Sequence, residues 1–530
     1  MNDLQSDVFK EFKKSNLTQF FVQNRAMIGY SYPSKSLVIA VHELVTNSLD
    51  NCVVAGIKPE ISIKIEYDPK YINAPQQKNR LILTVKDNGT GIPKKIIPTI
   101  FSTFLQGSKF RVNRQHMGQQ GIGASGVVLF SLVETGEPTF LRTGDGQNTI
   151  EAEIKMNLET GESQNKILKE YKSDFCGTEI KTYLGEVLYG TGSISVDEYI
   201  KQIFLANPFS HFTLVNPDGI KTEYKPVINN MPPKPEVEKY HPLGLDVQTF
   251  LTLLGKSKHK TVGEFIEKDL QRSGKEKVKE LSNLLKRNLY NLKKEDVAGN
   301  RKMAEEIISA IKTLKWKAPK TNCLMPIGEE ALTRAVDELF KPEFKTIITR
   351  PPKVYRGGIP FIVEIGLAWG ENCGKKTDRT VEPDVLRFAN RTPLLFDSSA
   401  DVIVQSLKEI DLNKYIKNTT NFPISIIANI NSTFIPFNNA GKMAIDSDED
   451  IKAEFKNAVF DGLRKISTFI NKKKAREMLE HHKSRMREYE DHLAKILNEA
   501  SDDYKTVPEI KSGIDKIINK LGDYNDDGQK

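Results

Sequence analysis

One helix-forming stretch constrains what this chain can fold into more than any other. From Ser34 to Gly56 it reads SKSLVIAVHELVTNSLDNCVVAG, and Leu37, Ala40, Val41, Leu44, Val45, Leu49, Cys52 and Val53 recur at intervals of three and four. That spacing predicts a helix with one face in a core. Pro33, Ser34 and Ser36 make a start signal, and Gly56 a stop signal. Glu43, Asn47 and Asp50 stand at i, i+4 and i+7, so a carboxylate, an amide and a second carboxylate form one polar stripe. A stripe like this is ordinarily a solvated face. Its chemistry also suits Glu43 as general base toward a water and Asn47 as an oxygen ligand for Mg²⁺, which keeps several of its own waters. His42-Glu43 is no zinc motif, because Thr46 stands where the metalloprotease pattern needs His.

Two later stretches favour the chemical reading. Leu81 to Lys86 (LILTVK) reads as a buried strand, followed at once by Asp87-Asn88-Gly89-Thr90-Gly91-Ile92-Pro93. A carboxylate at a strand end, with glycines that let backbone approach a ligand, suits the amino edge of a base. The ordinary alternative is a hairpin turn, but Lys94 to Leu105 reads as a helix and offers no partner strand. Gly107 to Gln120, with Ser108, Lys109, Arg111, Asn113 and Arg114, has the composition of a mobile lid. Gly118-Gln119-Gln120-Gly121-Ile122-Gly123 then opens an apolar helix, where free N–H groups and the positive dipole end make a phosphate cradle. Gly121, Gly123 and Gly126 also fit the dinucleotide and protein-kinase glycine patterns. The first needs a strand directly before it and the second VAIK, HRD and DFG elements downstream; neither is present, and there is no GxxxxGK[ST] loop.

In that order and spacing, the ELVTN helix, DNGTGIP turn and GQQGIG loop resemble the GHKL ATPase superfamily of gyrase, the heat-shock chaperone, histidine kinases and MutL. Within it, GSKF at 107–110, GQQGIG at 118–123 and RFANRTPLLFD at 387–397 are similar to motifs of the topoisomerase VI B-subunit family, which is type IIB. The resemblance runs from about Leu17 to about residue 500. It implies an α+β multidomain chain: a GHKL (Bergerat) ATPase α/β sandwich over 1–225, a linker at 226–244, a helix-two-turn-helix-like insert at 245–318, a βαβ transducer domain at 319–447, a stalk helix at 448–500 and a tail at 501–530.

The resemblance also implies the site. Glu43 is the general base, Asn47 holds Mg²⁺, and Asp87 reads adenine, with Asp50, Asn88, Gly89, Gly91 and Thr178 around the nucleotide. Ser108 and Lys109 belong to the lid, residues 118–123 cradle the phosphates of ATP, and Lys442 in NNAGKMAI reaches the γ-phosphate. Two positions depart from the family. Met117 stands where an arginine usually precedes the glycine loop, and Phe434 stands where STK would put a lysine. The implied partners are a topoisomerase VI A subunit in an A2B2 heterotetramer, a second B protomer on ATP binding with an exchanged N-terminus, and double-stranded DNA. The alternative is a MutL-like or chaperone-like clamp that cuts nothing.

Charge distribution adds a footprint. Of a net +8, the segment Gly255 to Lys320 carries 18 Lys/Arg against 9 Asp/Glu, leaving the rest of the chain near neutral. The turn Arg272-Ser273-Gly274-Lys275 and lysines Lys275, Lys277 and Lys279 are the expected DNA contacts, against the alternative of a solvated helical face. Cys52, Cys176, Cys323 and Cys373 match no zinc spacing and are expected to stay reduced. No apolar run is expected to span a membrane, and the acidic start is no signal peptide; the resemblance implies a cytoplasmic, nucleoid-associated protein. Strands are expected at 61–67, 138–144, 148–157, 177–184, 361–370 and 423–430, a hairpin at 211–224, and helices at 328–340 and 400–410.

Overall fold

The computed structural model describes residues 29–30, 32–101, 113–118, 123–158, 162–416, 422–438, 444–500 and 506–520. The chain forms two compact units, one of residues 1–410 with 421–460 and one of 411–420 with 461–530.

In the first unit, α1 (Pro33–Ala55) leads to β1 (Glu60–Tyr67) and β2 (Arg80–Lys86), then α2 (Gly123–Thr135), β3 (Thr139–Asp145), β4 (Asn148–Ile154), β5 (Lys166–Lys172), β6 (Cys176–Gly185), α3 (Val196–Ala206), β7 (His211–Val215) and β8 (Lys221–Tyr224). Among the described residues these strands make one sheet in the order β5-β4-β3-β6-β2-β1-β7-β8, with only β1 and β7 parallel. The three helices pack on it, and α1 touches both others. By length and apolar content α1 would cross a membrane, against the expectation. However, 72% of that window is buried in the core with Ile63, Leu83, Phe130 and Ile200. Its start uses Pro33 in the first turn, and Gly56 at φ 73 closes it with N–H bonds back to the last turn.

Several expectations fail for identifiable reasons. Lys94 to Leu105 is no α-helix over its described part; a 3-10 turn at Lys94–Ile96 is followed by turns to Phe101, because Pro98 carries no N–H and Phe101 sits at φ 61. Strand β5 was not expected, because KILKEYK is exposed along its whole length at the sheet edge and shows no alternation. The linker is not a loose tether. The Glu236 N–H donates to the Asn322 carbonyl, Glu238 is buried and pairs with Lys320 at 3.3 Å, and the Glu238 N–H donates to the Asn113 carbonyl.

The basic segment is helical, with α4 (Val247–Lys256), α5 (Val262–Asp269), α6 (Lys275–Leu284), α7 (Lys294–Ala298) and α8 (Arg301–Thr313). Asp246, Thr261 and Asn300 cap three of them, and Phe250, Leu254, Phe265, Ile266, Leu281 and Ile311 form a core of its own. Entry and exit meet at a neck. Nε2 of His241 lies 3.0 Å from the Lys317 carbonyl, and Gln271 bonds Lys239 on one strand of the neck and Lys320 on the other.

Next come α9 (Glu329–Phe340), β9 (Phe344–Thr349), β10 (Lys353–Tyr355), β11 (Ile359–Trp369), a small β12 (Lys375–Lys376) and β13 (Val381–Glu382) hairpin, β14 (Asp384–Ala389), β15 (Thr392–Pro393), α10 (Val402–Lys408) and β16 (Ile424–Ser432). The sheet runs β10-β11-β16-β14-β15, with β9 also on β11, and β14 and β16 are parallel as in a crossover unit. The turn between β14 and β15 places Asn390 and Arg391 in the left-handed region, at φ 51 and 67.

The helix α11 (Glu449–Ala500) begins in the first unit and continues through the second, as expected of the stalk. The tail departs from expectation, since α12 (Val507–Lys520) forms from a run with Ile510, Ile514 and Ile518 on one face. Within the second unit it lies on α11, where Arg487 donates to Asn519 at 3.0 Å, Lys511 pairs with Asp491, and Ala494 and Ile518 are buried.

Candidate active site

The polar stripe of α1 meets the end of β2 and the start of α2. Asp87, at the end of β2, is 5% exposed. Its Oδ1 accepts from the Gly89 N–H at 2.9 Å and the Thr178 N–H at 3.1 Å, and its Oδ2 from the Ser48 hydroxyl at 2.7 Å. Burial raises the Asp87 carboxyl above its ordinary range, and the three donors pull it back only in part. The close fit depends on glycine. A Cβ on Gly177 (φ 128) would lie 2.1 Å from the Asp87 carbonyl, and one on Gly91 (φ 71) 2.3 Å from the Gly144 carbonyl.

Asn88 does not face the same way as Asp87. Its Oδ1 accepts from the Glu60 N–H and its Nδ2 donates to the Lys58 carbonyl, each at 2.9 Å, so it fastens the turn to the start of β1. Asp50 is also an anchor: its two oxygens accept from the Met117 N–H at 3.1 Å and the Gly118 N–H at 3.2 Å. Helix α1 thereby grips the root of the glycine loop. Asn47 donates Nδ2 to the Glu43 carbonyl at 2.8 Å, one turn earlier in α1.

Glu43 is partly buried beside His42 and near Tyr30 and Tyr199, whose hydroxyls are kept protonated by burial first and by the Glu43 charge second. Its carboxylate lies so close to Gly123 that a Cβ there would come within 1.7 Å of Oε2. The Glu43 carboxylate therefore stands at the N-terminus of α2. Ser108, Lys109, Gln119, Gln120, Gly121, Ile122 and Lys442 lie outside the described residues.

Sequence reasoning missed three contributors. Ser48 holds Asp87; Asn51 Oδ1 accepts from the Thr90 hydroxyl at 3.1 Å; and the Thr143 hydroxyl accepts from the Ile92 N–H at 2.6 Å. Ser48 and Asn51 carried a signal, since they continue the α1 polar stripe at positions where an apolar residue would fit a core helix. Thr143, on a distant strand, carried none.

The family model described as the topoisomerase VI B subunit transducer matches residues 319–482, and that of the histidine kinase-, DNA gyrase B- and HSP90-like ATPase matches residues 34–159. The chain is 35% identical over 475 residues to the B subunit of the type 2 DNA topoisomerase 6 of Methanothermobacter thermautotrophicus, covering 88% of both. The same-named protein of Pyrococcus horikoshii is 35% identical over 515 residues, again covering 88% of both. The chain belongs to the topoisomerase VI B-subunit family. The homologue from Thermococcus onnurineus, 34% identical, extends the match to 93% of both chains. As a topoisomerase VI B subunit the chain is an ATP-hydrolysing member of the GHKL superfamily, with its α1, β2 and α2 site inside the matched ATPase segment.

Lys275 and Lys279 are exposed on α6, whereas Lys277 pairs with Glu280 at 2.7 Å and lies over the Trp316 ring at 6.0 Å.

Proposed function

We propose that the site binds ATP with Mg²⁺ and that hydrolysis drives passage of one DNA duplex through a break made by an A subunit. The observation that carries this reading is the Asp87 carboxylate, buried and held by Ser48, Gly89 and Thr178, in one site with Glu43 at the N-terminus of α2. Asp87 accepts from the adenine amino group, Asp50 and Asn88 set the backbone around it, and Gly89, Gly91 and Thr178 shape the pocket. Glu43 takes a proton from the attacking water, and residues 118–123 hold the phosphates, where catalysis rests on position and charge. Ser108, Lys109 and Lys442 complete that charge. The donor set fits Mg²⁺, because one amide oxygen from Asn47 beside a carboxylate leaves the cation the waters and phosphate oxygens it prefers. Bound there, Mg²⁺ supplies neutralising charge to the β- and γ-phosphates.

ATP binding joins two B protomers, and two A subunits complete an A2B2 heterotetramer at the nucleoid. An exposed apolar row supports a partner surface on the second unit: Met486, Tyr489, Leu493, Ile496 and Leu497 of α11 and Ile517 of α12. The test is reconstitution with an A subunit on supercoiled DNA. ATP-dependent relaxation that disappears with Glu43→Ala supports the reading. ATP turnover with no strand passage would leave the clamp as the better account.

A further inference from the structure

We infer that Gln115, seconded by Asn390, is a positioning residue for ATP hydrolysis, fixing the root of the glycine loop against the transducer sheet. The inference rests on the ATPase reading above. It comes from a short segment, residues 113–118, on which several parts of the first unit converge. The Asn113 carbonyl accepts from the Glu238 N–H at 3.1 Å and its Nδ2 donates to the Lys239 carbonyl at 3.1 Å, which ties in the linker. At the other end, Met117 and Gly118 are held by Asp50 of α1.

Between these, Gln115 is 3% exposed and directs its hydrogen bonds to residues beyond 320. Its N–H donates to the Cys323 carbonyl at 2.9 Å, and its Oε1 accepts from the Met325 N–H at 2.6 Å. Its Nε2 donates at 3.0 Å to both the Met325 carbonyl and Asn431 Oδ1. Asn431 is itself fixed by Glu364, a carboxylate with 0% exposure that also accepts from Asn429 and from the Ile327 and Gly328 N–H groups. One residue on, the His116 carbonyl accepts from Asn390 Nδ2 at 3.1 Å. The same amide brackets Ser432, donating to its carbonyl and accepting from its N–H, each at 2.9 Å.

A buried amide with this many partners is ordinarily a fold-specifying device. Here, however, the bonded backbone is continuous with the loop that must hold phosphate. Only His116 separates Gln115 from Met117, whose N–H is bonded to the helix bearing Glu43 and Asn47. A shift of β11 or β16 is therefore passed to the distance between the phosphates and the base. Adenine recognition at Asp87 shares none of these bonds, so affinity and turnover should separate.

The test uses the full chain, ATP hydrolysis and a nucleotide-binding titration. Gln115→Met keeps the volume and removes the side-chain bonds. Asn390→Gly keeps the φ of 51 accessible and does the same. Each variant with a wild-type melting curve should bind nucleotide within about twofold of wild type, while kcat falls roughly 10–10²-fold, as for a misplacement near 1 Å. The double variant should lose less than the product of the two, because both act on one segment. Unchanged kcat in both variants, or affinity falling in step with kcat, would overturn the inference. If only one variant folds, its separation of kcat from affinity decides alone. Absence of hydrolysis in the wild-type chain would instead strike the ATPase reading itself.

Discussion

Ser48 and Asp87 are 39 positions apart in sequence and are joined by a 2.7 Å hydrogen bond from hydroxyl to carboxylate. The bond makes the middle of α1 and the end of β2 a single element at the back of the site. With Gly89 and Thr178 it surrounds one carboxylate with three donors.

The first prediction concerns Asp87→Asn. An amide offers one oxygen where three donors converge, so its NH₂ must face either Ser48 or the N–H groups of Gly89 and Thr178. Nucleotide affinity should fall by at least ~10²-fold, the cost of unpaired polar groups in a site built for hydrogen bonds. A fluorescence titration giving wild-type affinity would remove the adenine assignment.

Acidification should weaken ATP binding earlier than an ordinary aspartate would. The folded carboxyl is raised above its ordinary value of 3.8, so between 3.8 and that raised value the native chain holds more protons than the unfolded one. The charged form thus costs stability as pH rises through the window, and that cost is fully present at neutral pH. The acceptor needed for adenine is lost as pH falls through the same window. Dissociation constants measured downward from neutral pH should rise in wild type, with Asp87→Asn showing no corresponding step.

Glu43→Ala should keep nucleotide binding and lose ~10²–10⁴-fold in hydrolysis, the contribution of a general base. Gly123→Ala should resemble it, since the added methyl meets the Glu43 carboxylate, a flexible end that must swing aside. Single-turnover hydrolysis at wild-type rate in Gly123→Ala would show that the base does not work from this position.

Lys442→Ala should reduce hydrolysis and uncouple it from strand passage while nucleotide still binds through α1 and β2. Lys442→Arg should rescue poorly, because a planar fork does not replace a compact ammonium. A near wild-type rate for the alanine variant would exclude the lysine.

DNA binding by the chain alone should be weak and salt-dependent. Neutralising Lys275, Lys277 and Lys279 together should flatten the slope of log affinity against log salt by about 2–3. The reduction should sit near the lower end, because Lys277 is already paired with Glu280. A slope that does not change would assign these lysines to solvent.

The α1 helix, the β2-to-Asp87 turn and the glycine opening of α2 were legible because each rests on local periodicity or on glycine. What escaped was decided elsewhere in the chain. Lys94 to Phe101 has helical composition, but Pro98 ends that possibility in its middle. Strand β5 forms only because β4 offers an edge. Ser48 could be seen as polar but not as the partner of Asp87, which depends on how α1 crosses the sheet. The role of Gln115 depends on residues some two to three hundred positions later, and no pattern within residues 113–118 announces it.

The neck at His241 and Lys317 carries a consequence for how such a chain is assembled. A domain whose entrance and exit touch is a detachable part: joining Lys239 to Lys320 by a few residues would close the path without rethreading anything else. Excision would cost the remainder little of its own core, since the helices bury Phe250, Phe265 and Ile311 against one another. Modularity of this kind lets one ATPase be fitted with, or stripped of, a helical attachment in a single genetic event.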